Sequence, residues 1–308
     1  MQNLQHILWP HILLKMDSFN GYIYMLKPAN MTSFDLVNYV RRRLSTKKVG
    51  HTGTLDPNAM GVMVLCLGRG TKAIPYFEYD SKSYRAEMLL GVVTDTYDTD
   101  GQVLEAKPCD ATDDEIIAAV ESFCGDIDQV PPMYSAIKID GQKMYDVARR
   151  GETVDLPARK VKIHSISVNS ITRDGDHVRV LFDVDVSKGT YIRSLCYDIG
   201  KKLGCPACMS YLYRTSCGAV MGNMCVSLTQ FEKALEYGTV DQMILPTDHI
   251  FHVYPEVHLS GKNLAKASNG VAIKVDLPDG LYRVYSDTFM GPGRVIDNML
   301  KLEKRFDT

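Results

Sequence analysis

The sequence predicts an α+β fold with a mixed, largely antiparallel central sheet flanked by helices, followed by a small β-rich unit. Strand and helix patterns mix irregularly up to residue 246 and do not repeat a strand–helix–strand unit, which argues against an all-parallel sheet. Beyond residue 247 the pattern is strand-like, as at 281–285 and 291–295. With 308 residues, the chain can form a main domain at 16–246 and an appendage at 247–308.

The first half of the chain opens with an apolar strand at 21–26. Thr32 or Ser33 is then a suitable N-cap for a helix, with Asp35 in its first turn. The apolar stripe of this helix is Phe34, Val37, Val40 and Leu44. Further elements are predicted as strands at 61–68 and 82–91, a short helix or turn at 69–77, an acidic loop at 94–100 and a helix at 113–123.

The second half contains a predicted hairpin, with strands at 159–170 and 177–186 around Asp174-Gly175. A helix is expected from Gly189 to Leu203, stopped by Gly204. Ser227 and Gln230 form a capping box for one more helix. An extended arm is predicted at 131–136 and a short helix at 142–150.

One loop, residues 49–57, organises the rest of the chain. Its glycines let the backbone turn sharply or approach a ligand. Pro57 pushes Asp56 out of the helical region, so the carboxylate is presented from a stiff loop. Basic residues at 41–43 and 47–48 precede it. A carboxylate beside positive charge suits a nucleophile directed at a polyanion, although the loop taken alone favours an ordinary turn.

Charge is segregated along the chain, although the formal net charge is only −2. Residues 21–72 contain eight Lys and Arg against two Asp, whereas residues 94–128 contain eleven acids against one Lys. We therefore expect a basic patch around the 49–57 loop, where a phosphate backbone would require it, and a separate acidic patch.

Eight cysteines without a secretory signal indicate a reducing, cytoplasmic setting. Cys205 and Cys208 form a C-x-x-C pair that could bind zinc or act in redox chemistry. No nearby histidine completes a zinc set, so small buried cysteines are favoured and no metal is predicted. The chain has no apolar run long enough to cross a membrane. Residues 1–15 lack signal-peptide features and precede Met16, which predicts a disordered extension or a wrongly assigned start.

Taken in order, the motifs of this chain resemble those of the bacterial TruB-type tRNA pseudouridine synthases over residues 20 to 220. The matching segments are Lys27-Pro28, Thr32-Ser33, 49–57, Gly61-Val62, 82–85, Leu90-Gly91, 94–96, 131–136 with Lys138 and Gly141, 187–193, Tyr211-Leu212 and Arg214-Thr215. The end of the chain is similar to a shortened PUA-type RNA-binding domain. The resemblance implies a pseudouridine synthase fold and conversion of the T-loop uridine of tRNA, position 55, to pseudouridine, with neither cofactor nor metal.

By this resemblance Asp56 is the nucleophile, attacking either the sugar C1′ or the base. Arg193 is its expected partner, because a guanidinium can hold a carboxylate bidentately and keep it ionised. Taken alone, Arg193 would be a surface helix arginine. Tyr84 would stack on the flipped-out uracil and could help to move the C5 proton. Its alternating pattern is equally that of a core aromatic residue.

The resemblance also implies four substrate-binding residues. His51 would contact or replace the flipped base in the T-loop, since RNA loops are often bound by stacked side chains. Tyr191 and Leu212 would line the uracil pocket, and each could equally belong to the core. Lys27 would support the site or touch phosphate. Departures from the family pattern are Asn30 in place of glycine, Asn58 and Met60 after Asp56-Pro57, and Tyr213 in place of arginine.

Three functions follow as hypotheses: a stand-alone tRNA pseudouridine synthase acting as a monomer on the T-arm, a guide-RNA-dependent synthase, and a non-catalytic protein that binds or folds tRNA. The segment at 133–138 and the shortened tail favour the first over the second. The presence of Asp56, Tyr84 and Arg193 argues against the third.

Overall fold

The computed structural model describes residues 19–77, 80–135, 137–139, 141–152 and 154–307. The predicted extension at 1–15 lies outside the described residues, as does Ala136 of the predicted arm.

The strands form a large central sheet and a smaller C-terminal one. In chain order they are β1 (Gly21–Lys27), β2 (Val49–His51), β3 (Met60–Leu67), β4 (Ser81–Leu90), β5 (Val92–Thr94), β6 (Val103–Ala106), β7 (Gly125–Gln129), β8 (Lys138–Ile139), β9 (Gln142–Lys143), β10 (Arg159–Asp174), β11 (His177–Ser187), β12 (Ala207–Cys217), β13 (Val220–Met221), β14 (Glu256–His258), β15 (Ile273–Lys274), β16 (Gly280–Tyr285), β17 (Phe289–Ile296) and β18 (Met299–Leu302).

The helices are α1 (Ser33–Arg43), α2 (Asp113–Glu121), α3 (Met144–Arg149), α4 (Ile192–Leu203), α5 (Leu228–Glu236) and α6 (Gly261–Ser268). Within the described part of the chain, none has the length and apolar character that crossing a bilayer needs.

The central sheet runs in the order β1-β3-β12-β4-β11-β10-β7, with β2 added to β3 and β13 to β12. Neighbours pair antiparallel except β3 and β12, which run parallel. This confirms the predicted mixed, largely antiparallel sheet. On β4 the alternation is as predicted, because Tyr84, Ala86, Met88 and Leu90 are buried, whereas Arg85 is exposed.

Strand β12, at the centre of the sheet, is an element that the sequence analysis did not predict. Its pairing with β4 is interrupted between Met209 and Tyr211 and again between Arg214 and Ser216. Each irregularity shifts the side-chain alternation by one residue, so no continuous two-residue period is visible in the sequence. The strand also buries a charged residue, Arg214, among its apolar positions.

The main core lies between one face of the central sheet and helices α1, α2, α4 and α5. It joins strand residues such as Met63 and Phe182 to Leu36 of α1 and Leu195 of α4. A second cluster on the other side of β1 and β3 includes Tyr22, Val64 and Phe306. The last residues of the chain therefore pack against the central sheet and fix the C-terminal unit to it.

The ends of three helices are closed by capping boxes. Ser227 forms the predicted one with Gln230, and Thr32 and Thr112 form two more, with Asp35 and Glu115 respectively. Gly204 ends α4 in the left-handed conformation, with φ 66°. Helix α4 begins at Ile192, later than the predicted start at Gly189, because Gly189 has a φ of 88° and is therefore not helical.

Three details of the predicted elements were wrong. Phe34 is 62% exposed, because Leu36 rather than Phe34 joins Val37 and Val40 on the buried face of α1. The predicted helix at 142–150 starts with β9, so only Met144–Arg149 is helical. The C-terminal unit contains the helix α6, which carries too few apolar residues for its periodicity to be recognised.

The C-terminal sheet runs in the order β14-β16-β17-β18-β15. It confirms the prediction of a small β-rich unit, with the predicted strands at 281–285 and 291–295 falling in β16 and β17. The division proposed at residue 246 falls between α5 and β14 and stays a prediction.

Gly61 marks the closest approach of β3 to β12. Its φ is +108°, and a Cβ there would lie 2.2 Å from the carbonyl oxygen of Arg214. Gly125 has a similar φ of +114° with open space around it.

We expect Gly61→Ala to lower the free energy of unfolding by about 2 kcal/mol more than Gly125→Ala, because only the first substitution adds a steric collision to the backbone strain. Urea denaturation of both variants tests this, and equal losses would contradict the close contact.

Candidate active site

Asp56 lies at a cavity of about 630 Å³ where the 49–57 loop meets β4, β12 and the start of α4. Of the seven residues proposed for the site, five line this cavity: Asp56, Tyr84, Tyr191, Arg193 and Leu212. Lys27 and His51 do not. Residues from distant parts of the sequence therefore meet around one carboxylate.

The backbone of the loop is held by α1 and β1. The Ser33 hydroxyl donates to the Leu55 carbonyl and accepts from the Leu55 amide, both at 2.8 Å. The Lys27 ammonium donates to the carbonyls of Pro28 at 2.8 Å, Met31 at 2.5 Å and Pro57 at 3.0 Å. The residues on each side of Asp56 are thus bonded to the fold.

Lys27 is only 1% exposed, and its ammonium is enclosed by these three carbonyls. Burial lowers the pKa of its ammonium to about 8, and the nearby Asp56 carboxylate opposes this shift. The supporting role agrees with this position, and the phosphate contact stays a prediction.

Arg214 forms the floor beneath the loop and was not assigned a role from the sequence. It is 2% exposed, and its Nε donates to the Val62 carbonyl at 2.7 Å. Its Nη1 and Nη2 donate to the carbonyls of Thr54 and Gly53, each at 3.3 Å. The only sequence signal was its place in the Arg214-Thr215 motif.

The carboxylate of Asp56 is paired with a buried arginine. Arg193 Nε lies 3.0 Å from Asp56 Oδ2, with the arginine side chain 6% exposed and the aspartate side chain 38% exposed. Arg193 Nη1 donates to the Thr96 carbonyl at 3.0 Å, and Nη2 donates to the Tyr134 carbonyl at 2.9 Å. The ion pair runs through Nε because the outer nitrogens serve the backbone, which differs from the expected bidentate geometry. The burial of the Arg193 side chain also excludes the surface position that its helix alone would suggest.

The acidic loop predicted at 94–100 folds into the site. Asp98 Oδ2 lies 3.6 Å from Arg193 Nη1, so one guanidinium serves two carboxylates. Asn58 donates from Nδ2 to the Asp100 carboxylate and ties this loop to the one that carries Asp56. Burial and the neighbouring Asp98 raise the pKa of Asp100. Neither aspartate was identified as a site residue from the sequence.

Tyr84 and Leu212 form adjoining parts of the cavity wall. Each is 8% exposed, and each belongs to the main core cluster, so the core and cavity interpretations both hold. Burial raises the pKa of the Tyr84 phenol, while the adjacent Arg214 guanidinium opposes that shift. The phenol is therefore neutral near pH 7.

Tyr191 stands immediately before α4, where a buried glutamine fixes its backbone. The Gln129 side chain accepts from the Tyr191 amide at 2.8 Å and donates to the Tyr191 carbonyl at 3.0 Å. The backbone of Tyr191 is thus fixed, and this orients the start of α4, the helix that carries Arg193.

His51 lies on β2, outside the cavity lining. Burial and the positive charge of Arg214 lower the pKa of its imidazole, so the ring is neutral near pH 7. Its Nδ1 is buried without a hydrogen-bond partner among the described residues.

The basic patch is smaller than the sequence indicates. Lys27 is buried, and Arg43 pairs with Glu232 of α5. Arg69 and Lys72 donate to the carbonyls of Asp307 and Arg305, so they fix the end of the chain. The exposed basic residues that remain are Arg41, Arg42, Lys47 and Lys48.

The C-x-x-C pair is buried, with Cys205 7% exposed and Cys208 fully enclosed. Both are free thiols, as expected for packing residues. Within the described ranges no three His, Cys, Asp or Glu side chains are arranged to hold a metal ion. A second cleft of about 760 Å³ beside Cys205, Lys107 and Lys202 contains none of the predicted site residues.

Comparison with known families now identifies the chain. A model described as TruB family pseudouridylate synthase, N-terminal domain, matches residues 41–192. Another, described as tRNA pseudouridylate synthase B C-terminal domain, matches residues 193–252. A protein of Alkaliphilus oremlandii named tRNA pseudouridine synthase B is 45% identical over 241 residues, covering 78% of this chain and 77% of its own. This chain belongs to the TruB family.

Further relatives of this TruB-family protein span nearly its whole length. A tRNA pseudouridine synthase B of Clostridium kluyveri is 40% identical over 93% of this chain and 99% of its own. Among solved structures, a Cbf5–Nop10–Gar1 complex matches with a TM-score of 0.66 at 25% identity, over 93% of this chain and 84% of that one. An H/ACA ribonucleoprotein bound to a substrate RNA containing 2′-deoxyuridine matches at 0.65 and 24%, over 94% and 85%. These matches confirm the pseudouridine synthase fold.

Ser33 offers a test of how the loop is held. We expect Ser33→Ala to lower the free energy of unfolding by about 2 kcal/mol, because it leaves the buried amide and carbonyl of Leu55 without the hydroxyl. Ser167→Ala, at an exposed position of β10, is the matched control and should change little. Chemical denaturation of both variants measures the difference, and a Ser33→Ala protein as stable as wild type would contradict the assigned bonds.

Proposed function

We propose that the protein is a tRNA pseudouridine synthase that acts as a monomer on the T-arm, isomerises the T-loop uridine at position 55 and uses Asp56 as its nucleophile. The observation that carries the proposal is the ion pair at the cavity between the buried Arg193 and the partly exposed Asp56. Relatives of this chain at 40–45% identity carry the name tRNA pseudouridine synthase B, which supports tRNA as the substrate.

The reaction exchanges one bond for another without redox change. Asp56 attacks either the sugar C1′ or the uracil ring, and the bond between N1 and C1′ breaks. The base turns, a bond forms between C5 and C1′, Asp56 is released, and the proton of C5 is lost as N1 gains one. Arg193 pairs with the Asp56 carboxylate before attack and would remain paired with Asp98 while Asp56 is bound covalently.

The walls of the cavity suit an extruded base. A nucleotide that reacts at both base and sugar must leave the helix stack. Tyr84 offers an aromatic surface for stacking, and Tyr191 and Leu212 would close the pocket around the uracil. The neutral phenol of Tyr84 would help to move the C5 proton by accepting it while passing its own hydroxyl proton on towards N1. His51, neutral and outside the cavity, would contact the part of the T-loop that the base leaves.

The exposed basic residues support a binding surface for the RNA backbone. Arg41, Arg42, Lys47 and Lys48 stand at the end of α1 and in the stretch before β2, close in sequence to the loop that carries Asp56. Phosphate neutralisation by such residues would make affinity fall with salt concentration. This surface also suits the tRNA-folding role considered from the sequence, which would then act alongside catalysis.

The guide-RNA-dependent alternative has less support. The named complexes of that kind share the fold at 24–25% identity, whereas the tRNA pseudouridine synthase B relatives reach 40–45%. Activity on tRNA without added guide RNA or partner proteins would exclude this alternative.

Tritium release from a T-arm stem-loop labelled with 5-³H-uridine tests the proposal. We expect release with wild type and none above background with Asp56→Asn, because the amide is a far weaker nucleophile than the carboxylate. Asp114→Asn, in the exposed first turn of α2, is the charge-matched control and should keep full activity. Sequencing of the product should place pseudouridine at the T-loop uridine.

Two results would contradict the proposal. Release by Asp56→Asn at the wild-type rate would exclude Asp56 as the nucleophile. No release by wild type, on whole tRNA as well as the stem-loop, would favour the non-catalytic alternative if tRNA still binds.

A further inference from the structure

Lys82 is a cation of the cavity wall that the mechanism above does not use. It lies on β4 two residues before Tyr84, so the two side chains point to the same face of the strand. Both line the cavity that contains Asp56. Lys82 is partly buried, which places its ammonium between the protein interior and the space that the substrate enters.

Among the described residues, no acidic side chain pairs with this ammonium. The Lys82 side chain takes part in neither a hydrogen bond nor an ion pair there, and the side chain that most favours its charge is the Cys217 thiol. Burial lowers the pKa of Lys82, and the neighbouring Arg214 lowers it further. A partly desolvated cation beside another cation gains strongly from an anionic partner.

The described charged groups near Lys82 are engaged elsewhere, so an anionic partner for Lys82 would come from outside the protein. A Cβ at Gly53 would lie at an ordinary contact distance of 3.8 Å from both Lys82 Nζ and Arg214 Nη1, so both cations border the same loop residue. Arg214 already donates to three backbone carbonyls. The charge of Asp56 is balanced by Arg193. Lys82 therefore retains its donors for a ligand in the cavity.

We propose that Lys82 binds a phosphodiester oxygen of the RNA next to the uridine that enters the cavity. The inference rests on the proposed function, because an extruded nucleotide brings its flanking phosphates to the rim of the pocket. A phosphate is favoured over a uracil carbonyl because a phosphate carries a full negative charge, which would balance the charge of the ammonium. Lys82 would thus be a substrate-binding residue that helps to position the nucleotide for attack by Asp56.

The test compares wild type, Lys82→Met and Lys82→Arg in steady-state tritium release from the labelled T-arm stem-loop at several KCl concentrations. We expect Lys82→Met to raise KM about tenfold with kcat within twofold of wild type, because one charge-assisted contact is lost in the ground and transition states alike. The slope of log kcat/KM against log salt should become shallower by about one. Lys82→Arg should retain the wild-type slope.

Equilibrium binding of the unlabelled stem-loop, measured by fluorescence anisotropy, should show the same tenfold loss for Lys82→Met. Ser83→Ala, the neighbour on the opposite face of β4, is the control and should change neither KM nor the slope.

Each other outcome overturns the inference. A fall in kcat with unchanged KM and salt slope would show that Lys82 acts on the base or on the loop. Unchanged kinetics in Lys82→Met would show that Lys82 does not contact the substrate. Loss of kcat in Lys82→Met and Lys82→Arg alike would indicate a packing role. Failure of wild type to release tritium would instead contradict the proposed function itself.

Discussion

The structure depends on how one loop is held against buried positive charge. Lys27 and Arg214, both almost fully buried, donate to six backbone carbonyls around Asp56 and use the peptide dipoles in place of acidic partners. Isolated buried ions are costly, so each cation depends on its own set of carbonyl bonds. The loop is thereby tied to β1, β3 and β12 at once, and the Asp56 carboxylate is held ready for reaction by the fold itself.

The cations of the site have different functions. Lys27 and Arg214 fix the backbone, while Arg193 stands at the cavity and serves the carboxylates of Asp56 and Asp98. Because the carbonyls of Thr96 and Tyr134 also accept from Arg193, a single side chain joins three separate segments of the chain. The acidic loop at 94–100, which the sequence presented only as a negatively charged stretch, is part of the same network.

Local chemistry explains what could be predicted from the sequence. The N-cap at Thr32, the capping box at Ser227 and the glycine stop at Gly204 act within one or two turns, so their residues identify them directly. Asn30 has φ 59°, as expected of an asparagine replacing glycine. Strand β12, the floor formed by Arg214 and the exposure of Phe34 depend on contacts between distant segments, which periodicity does not record. Family resemblance brought Asp56 and Arg193 together where spacing could not.

Hydrogen exchange at the Leu55 amide, followed by NMR in the protein without RNA, tests most directly whether the loop is fixed before substrate binds. Leu55 is 4% exposed, and its amide donates to the Ser33 hydroxyl. The account predicts exchange as slow as that of the core strand β3, because the loop cannot open without breaking the bonds of Ser33, Lys27 and Arg214. Exchange as fast as at the exposed Lys47 would contradict it, and would mean that the loop becomes ordered only when the substrate arrives.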